Sequence, residues 1–484
     1  LERSLKLTIN GDRVQIKDCS LTLTLLEYLR QSGRIGTKEG CGDGDCGACT
    51  IVVIGKGADG KPHYQAVNSC LIPLGALVGR EIITVEGVSS GQHPEQLHPV
   101  QAAMVQTGGS QCGYCTPGFI MSLFAAYYDR ALDDRAVEGN LCRCTGYLAI
   151  RRAAQLMNQT IAEKLPGDRF TEKLTQATTA LNEVSYCGQD QGFYRPLRLQ
   201  TVLDLLQQYP DAKLIAGATD LGLEFSHHRQ SFPVLISLEA VAELHQFNQT
   251  ADWVEIGAAV PLSQIEANLR GVFPSFDAML IWFAARQIRN RATIGGNLGT
   301  ASPIGDLSPV LLALDAQVRL ASAAGERVIA LSDFFIAYRQ TALQPGEVIV
   351  SVKIPRILTT GAVRRLSQSY KVGKRGTDDI SIVAAAFTID LDCTDRIVHA
   401  RLAYGGVAAT PGRAIAIEGW LIGQPWTRST VQQAKPLLRA AFTPLTDLRG
   451  SANYRQLLVA NLFEKFFVEH SDDRNQLDGA EVGG

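Results

Sequence analysis

Four cysteines place the strongest constraint on this chain: Cys41, Cys46 and Cys49 stand in one glycine-rich stretch, and Cys70 follows alone. Their spacing of four residues, then two, then twenty is the plant-type ligand pattern for a [2Fe–2S] cluster held by four thiolates. Gly42, Gly44 and Gly47 belong to the same feature, because backbone N–H groups reach a cluster's sulfurs only where side-chain bulk is small. A structural zinc site is the alternative for four cysteines. Zinc favours two paired knuckles, whereas here three ligands fall within nine residues and the fourth is distant.

The 484 residues allow about three domains, each large enough for its own core. A net charge of −2 gives no basis for a nucleic-acid partner, and no apolar run reaches the ~18 residues of a membrane helix. The first residues alternate like a strand and lack the apolar core of a signal peptide; without an initiator Met, a short trimmed leader remains open. Thiolate ligands must stay reduced, which points to the cytoplasm. Cys19, Cys187 and Cys393 stand outside both cysteine constellations and are expected as buried small apolar residues.

Leu5, Leu7 and Ile9 alternate, Asn10, Gly11 and Asp12 turn the chain, and Val14 and Ile16 continue on a second strand. A short helix follows with Leu25, Leu26 and Leu29 on one face, capped by Thr22 or Thr24. Strands are expected over 50–54 and 82–85, giving a β-grasp-like unit. Residues 55–60 match G-x-G-x-x-G after a strand, but that pattern binds a dinucleotide only where a helix opens. Pro62 and the extended residues 63–67 predict a hairpin instead.

From residue 97 the period becomes helical. Cys112 and Cys115, then Cys142 and Cys144, form a second four-cysteine set, with each half running into a helix start. Pro117 suits a first helical turn, Phe119, Ile120, Leu123 and Phe124 supply an apolar face, and a second helix is expected over 148–164. The partial positive charge and free N–H groups of helix N-termini suit an anionic cluster. Zinc stays open for these four taken alone; following a plant-type cluster, they read as the continuation of an electron path.

Residues 166–192 read as a linker. Two small-residue loops then offer clustered backbone N–H groups for a pyrophosphate: 214–222 and 292–306. Either alone is equally a tight turn under a sheet; two of them downstream of two clusters suggest where an electron chain ends. A last unit begins after Pro355, and the tail 471–484 is polar.

The two ordered cysteine sets, the segments 111–118 and 139–147, and Thr-Ile-Gly-Gly-Asn at 293–297 followed by Ala-Ser-Pro-Ile-Gly-Asp resemble the iron–sulfur and flavin subunits of the molybdenum hydroxylase family over nearly the whole chain. The resemblance implies an α+β multidomain chain. Its parts would be a β-grasp plant-type ferredoxin domain (1–90), a four-helix [2Fe–2S] domain (91–165), a vanillyl-alcohol-oxidase-like FAD domain (193–357) and a C-terminal α+β domain (358–470). It implies FAD contacts from Leu214, Ile215, Ala216, Gly217, Ala218, Thr219, Asp220 and Leu221, and from Thr293, Ile294, Gly295, Gly296 and Asn297. Phe283, Asp306, Ile349 and Lys371 resemble the remaining flavin contacts, while Tyr338, Asp378 and Asp379 would lie toward the nicotinamide side.

The same resemblance implies that a molybdenum–pterin cofactor in a large partner subunit oxidises a purine, within a heterotetramer of two small and two large subunits. Electrons would cross the Cys112/Cys115/Cys142/Cys144 cluster, then the Cys41/Cys46/Cys49/Cys70 cluster, and collect on FAD for release to NAD. No side chain of this chain would serve as an acid or base. The chain departs from the family pattern in the 26 residues between Cys115 and Cys142, a shorter separation that affects the loop 129–137 and not the ligands.

Overall fold

The computed structural model describes residues 2–89, 97–161, 167–227 and 230–471. Leu1, the expected boundaries near 90 and 165, the last residues of the helix expected to reach Lys164, and the tail from 472 onward lie outside the described residues. No described helix is long and apolar enough to cross a membrane. The chain forms two compact units: residues 1–245, 259–268 and 284–296 make the first, and 246–258, 269–283 and 297–484 the second.

The first unit begins with a mixed five-stranded sheet ordered β2-β1-β5-β3-β4. Its strands are β1 Ser4–Ile9, β2 Asp12–Lys17, β3 Thr50–Lys56, β4 Pro62–Asn68 and β5 Glu81–Ile83. Leu5, Leu7 and Ile9 are buried as the alternation requires. β1 pairs parallel with β5, which closes the β-grasp. Helix α1 (Leu25–Gln31) starts at Thr24, where Thr24 Oγ1 accepts the Glu27 N–H and the Glu27 carboxylate accepts the Thr24 N–H. Leu25, Leu26 and Leu29 face inward. The glycine-rich 55–60 segment is the tip of the β3–β4 hairpin, where Lys56 pairs with Pro62, and no helix opens there.

Among the described residues, the next segment holds α2 (Pro99–Gln106), α3 (Thr116–Tyr128) and α4 (Leu148–Ile161), with a 3-10 turn at Asp134–Val137. Helix α3 is buried from Gly118 through Tyr128, a central helix rather than an amphipathic one. Tyr64 of β4 packs on Phe124 and Tyr128, so the sheet and the helices share one core.

The segment expected to be a linker is structured. It holds α5 (Arg169–Gln176) and β6 (Val184–Gly188), and it buries Phe170 and Tyr186. Asp168 caps α5 through the Phe170 and Thr171 N–H groups, a signal hidden within a polar stretch. β6 joins β7 (Gln191–Arg195), β8 (Lys213–Ile215) and β9 (Val234–Ser237) in a sheet ordered β6-β7-β9-β8. Of the three isolated cysteines only Cys19 is buried. Cys187 is half-buried and Cys393 is exposed, the latter because it sits in the 392–395 turn organised by the Asp392 carboxylate.

The second unit holds a sheet ordered β10-β11-β16-β12-β13, formed by Phe247–Gln249, Trp253–Gly257, Val348–Pro355, Gln317–Ser322 and Gly325–Ala330 in that order. A two-stranded ribbon of β14 (Phe335–Ala337) and β15 (Gln340–Thr341) carries the exposed Tyr338. The last sheet consists of β17 (Arg364–Val372), β18 (Val383–Leu391), β19 (Ile397–Gly405) and β20 (Gly412–Arg413). β18 is buried at every position, which explains its near-continuous apolar run. The closing helices Ile415–Leu421, Arg428–Ala440 and Ala452–His470 pack their apolar residues into the same core.

Candidate cluster and flavin sites

The first cysteine site is a loop between α1 and β3. Gly42, Gly44 and Gly47 have φ of 78°, 91° and 65°, the left-handed region that side chains disfavour, so the loop curls around its thiols only as glycine. A Cβ at Gly40 would meet the Cys46 sulfur at 2.5 Å. The Cys41 N–H donates to Cys46 Sγ at 3.2 Å, and the Cys46 N–H returns to Cys41 Sγ at 3.3 Å. Cys70 arrives on the 3-10 turn Ser69–Leu71 after β4, with its sulfur 3.3 Å from that of Cys49.

The thiols therefore converge in two pairs. One member of each pair is favoured as thiolate by the other's S–H: Cys46 falls to about 6 chiefly through Cys41, and Cys49 is lowered chiefly through Cys70. Their partners Cys41 and Cys70 rise correspondingly. Two sulfurs per metal centre suit a binuclear cluster.

The second set is built differently. Cys115 immediately precedes α3, as the Pro117 position anticipated, while Cys142 and Cys144 lie in the loop that leads into α4. Again the thiols couple in pairs, Cys115 with Cys142 and Cys112 with Cys144. Burial pushes Cys115 up to about 12. Burial would also raise Cys142, but the Thr145 hydroxyl, 3.1 Å away, and its N–H bring the thiol below its ordinary value. Cys112 and Cys144 are exposed, whereas Cys49 and Cys70 are buried.

The two loops touch. The Leu141 N–H, one residue before Cys142, donates to the Cys46 carbonyl at 2.9 Å, and Asn140 Nδ2 donates to the Gly47 carbonyl at 3.0 Å. Gly47 must lack a side chain here too, since a Cβ would run into the Gly139 carbonyl.

The residues expected around FAD divide between the two units. In the first unit, Ala218 adopts a left-handed φ of 67°, and a Cβ on Gly217 would strike the Arg291 carbonyl, so the loops 214–221 and 291–296 meet backbone to backbone. Arg291 and Arg80 converge on Glu239, Arg80 at 2.5 Å. Burial would raise the Glu239 carboxyl, yet the two guanidinium groups bring it down to about 2. Thr293 Oγ1 accepts the Gly296 N–H at 3.0 Å as the short helix Ile294–Gly299 opens.

In the second unit, Lys371 Nζ lies 2.9 Å from Asp306 Oδ2 and donates to the Trp282 carbonyl at 3.0 Å, while Ser381 Oγ donates to Asp306 Oδ1 at 2.5 Å. Phe283 and Ile349 are buried. Asn297 Oδ1 is a buried acceptor with no protein partner, a position that fits a hydrogen-bonding ligand. Asp379 accepts the Lys374 and Arg375 N–H groups and so fixes its own loop. Sequence reasoning gave no role to Asn140, Gln287 or the Arg80–Glu239–Arg291 set, because each works through partners distant in the chain; Asn140, two residues before Cys142, and Arg291, directly before the 292–306 loop, stood beside readable motifs.

Residues 7–75 match the 2Fe-2S iron-sulfur cluster binding domain, and residues 84–155 match the [2Fe-2S] binding domain. Residues 187–357 match the FAD binding domain in molybdopterin dehydrogenase, and 368–470 the CO dehydrogenase flavoprotein C-terminal domain. Xanthine dehydrogenase 1 of Arabidopsis thaliana is 33% identical over 98% of the chain, which spans 40% of that relative. Xanthine dehydrogenase/oxidase of Gallus gallus is 32% identical over 95% of the chain and 39% of its own length, so the chain spans about two-fifths of such relatives. Among solved structures, a chain of quinoline 2-oxidoreductase from Pseudomonas putida 86 matches at 28% identity and a TM-score of 0.52, covering 57% of this chain and 94% of that one. Carbon monoxide dehydrogenase from Hydrogenophaga pseudoflava matches at 27% and a TM-score of 0.53, over 56% and 94% respectively.

Proposed function

The chain belongs to the molybdenum hydroxylase family, and from that premise we propose that it is the electron-transfer subunit of a xanthine dehydrogenase. It relays electrons from a molybdenum–pterin cofactor in a larger partner subunit to FAD and on to NAD, during oxidation of hypoxanthine and xanthine in the cytoplasm. The observation that carries this reading is the pairwise convergence of eight cysteines at two sites, joined by the hydrogen bond from the Leu141 N–H to the Cys46 carbonyl. When bound, the clusters supply one-electron carriers and the flavin converts single electrons into hydride.

The chain's own residues act by position. Cys41, Cys46, Cys49 and Cys70 hold the first cluster; Cys112, Cys115, Cys142 and Cys144 hold the second. Gly217, Ala218 and the 293–296 turn would offer backbone N–H groups to a flavin's pyrophosphate. Asn297 offers its unpartnered carbonyl oxygen, and Lys371 is held by Asp306 and Trp282. Relatives named as xanthine dehydrogenases favour the purine reading; the proposed large partner would join this chain in a heterotetramer of two copies of each subunit.

The likeness to quinoline 2-oxidoreductase favours a second reading, the equivalent subunit of an N-heterocycle or aldehyde hydroxylase with another electron acceptor. Purification from the native host tests both. The expected product carries about four irons per chain, two per cluster, one FAD and a large molybdopterin partner, and it oxidises hypoxanthine and xanthine. Reduced chain re-oxidises on addition of NAD; re-oxidation only by oxygen or a dye removes the dehydrogenase reading, and a colourless zinc protein removes the electron-transfer reading altogether.

A further inference from the structure

A buried chain of amides and hydroxyls ends on one peptide of the first cluster loop. Gln287 is 2% exposed, yet it lies 237 positions from Thr50 in sequence. Its Nε2 donates to Ser122 Oγ at 3.0 Å and to Asn140 Oδ1 at 3.1 Å, with Thr50 Oγ1 further off at 3.4 Å. Ser122 Oγ in turn donates to Asn140 Oδ1 at 2.6 Å. Asn140 Nδ2 then donates to the Gly47 carbonyl at 3.0 Å, which also receives the Thr50 hydroxyl at 2.7 Å and the Thr50 N–H at 3.1 Å. The donors all run in one direction, from Gln287 toward Gly47.

The Gly47 carbonyl belongs to the same peptide as the Ala48 N–H, which lies between Cys46 and Cys49 in the loop and favours the Cys46 thiolate. A trans peptide is planar with its C=O and N–H pointing opposite ways, so anchoring the carbonyl aims the N–H. Successive donors also polarise the peptide and strengthen the hydrogen bond at its far end. Hydrogen bonds to the sulfurs are one of the means by which a protein sets an iron–sulfur potential.

We infer that Gln287, acting through Ser122 and Asn140 on the Gly47–Ala48 peptide, is a positioning residue that raises the reduction potential of the cluster held by Cys41, Cys46, Cys49 and Cys70. The step concerned is addition of one electron to that cluster, with no bond made or broken. The inference rests on the proposed cluster assignment. It extends that assignment by placing control of one cluster's potential in a segment, 284–296, that belongs to the flavin-binding part of the chain. It also accounts for an energetic oddity, since Gln287 Oε1 is buried without a partner and a merely adhesive contact at this place would be better made by an apolar side chain.

The test is a dithionite titration of the full cluster-loaded chain, followed by electron paramagnetic resonance so that the two clusters are read separately. Gln287→Leu removes the donors at similar volume. It should make the first cluster about tenfold harder to reduce, a fall of ~59 mV for one electron, and leave the second cluster in place. Ser122→Ala, which loosens Asn140 without touching the loop, should give a smaller shift of the same sign, and Gln287→His, which restores a donor, should recover part of the loss. An unshifted first potential in a fully loaded Gln287→Leu chain overturns the inference, and so does an equal shift of both clusters. If Gln287→Leu fails to fold, the Ser122→Ala result decides in the same terms. Wild-type chain lacking two distinct [2Fe–2S] signals would instead break the cluster assignment beneath it.

Discussion

The two cysteine sites hold the same number of thiols in opposite surroundings. The first is a glycine loop with two of its sulfurs on fully buried residues, sealed by Asn140, Thr50 and Gln287. The second is set at helix starts with Cys112 and Cys144 exposed. Cys49 and Cys70 of the first meet little water, while Cys112 and Cys144 of the second are screened by solvent; the other two thiols of each site are half-buried. Within one chain, the two sites thus show two ways to stabilise a metal–thiolate group. Both sites place glycines at left-handed φ, Gly113 and Gly146 at the second, but only the first is packed under a seal, whereas the second leaves an open face.

The sharpest break of that comparison is Gly47→Val in the sealed loop. Its φ of 65° and the Gly139 carbonyl both exclude a β-branched side chain, so the first cluster should be lost while the second persists. Iron content should then fall to about half; a Gly47→Val chain retaining full iron would show that the loop is not sealed in this way. The buried histidine of the helical segment gives the next largest effect. His98 donates through Nε2 to Tyr128 and accepts the Val100 N–H, and burial lowers it to about 4.

Its neutral form is favoured in the fold, so the unfolded chain binds the extra proton first. Stability is unaffected above pH ~6.5 and falls as pH drops from there toward 4, by about 3 kcal/mol in all. Denaturant titrations of wild type and His98→Gln across that window should differ in slope, and parallel slopes would refute the assignment. Exposure predicts the order of damage as well: treated with a chelator and oxidant, the loaded chain should lose the signal of the Cys112/Cys144 cluster before that of the sealed one. Simultaneous loss would mean the burial difference has no chemical consequence.

The smallest effect lies where the sheet meets the end of α3. His63 stands between Asp129 at 2.8 Å and Asp59 at 3.0 Å, and the Asp129 carboxylate raises it to about 8. This pairing contributes fully below pH ~6.5 and is lost as pH rises through 8, the opposite sign to His98. Partly exposed, it is worth at most about 1 kcal/mol, measurable as a small fall in Tm between pH 7 and 9 that His63→Gln abolishes.

Much of this was readable in the chain itself. Cysteine spacing, the glycines among the ligands, the Thr24 cap and the alternation of Leu5, Leu7 and Ile9 are local patterns, and their chemistry acts over a few residues. The polar stretch 166–192 misled because Phe170 and Tyr186 are single apolar anchors that need a distant core to be buried, and Cys393 misled because exposure is decided by the turn that carries it.

What the sequence alone determined is the set of cysteines proposed as ligands and the kinds of loop that carry them, since metal geometry demands particular side chains at short separations. Only the tertiary structure decided which sulfurs pair, which site is sealed, and that Gln287 reaches the first cluster loop. Hydrogen bonds and burial depend on proximity in space, and no local pattern records which residues hundreds of positions apart will meet.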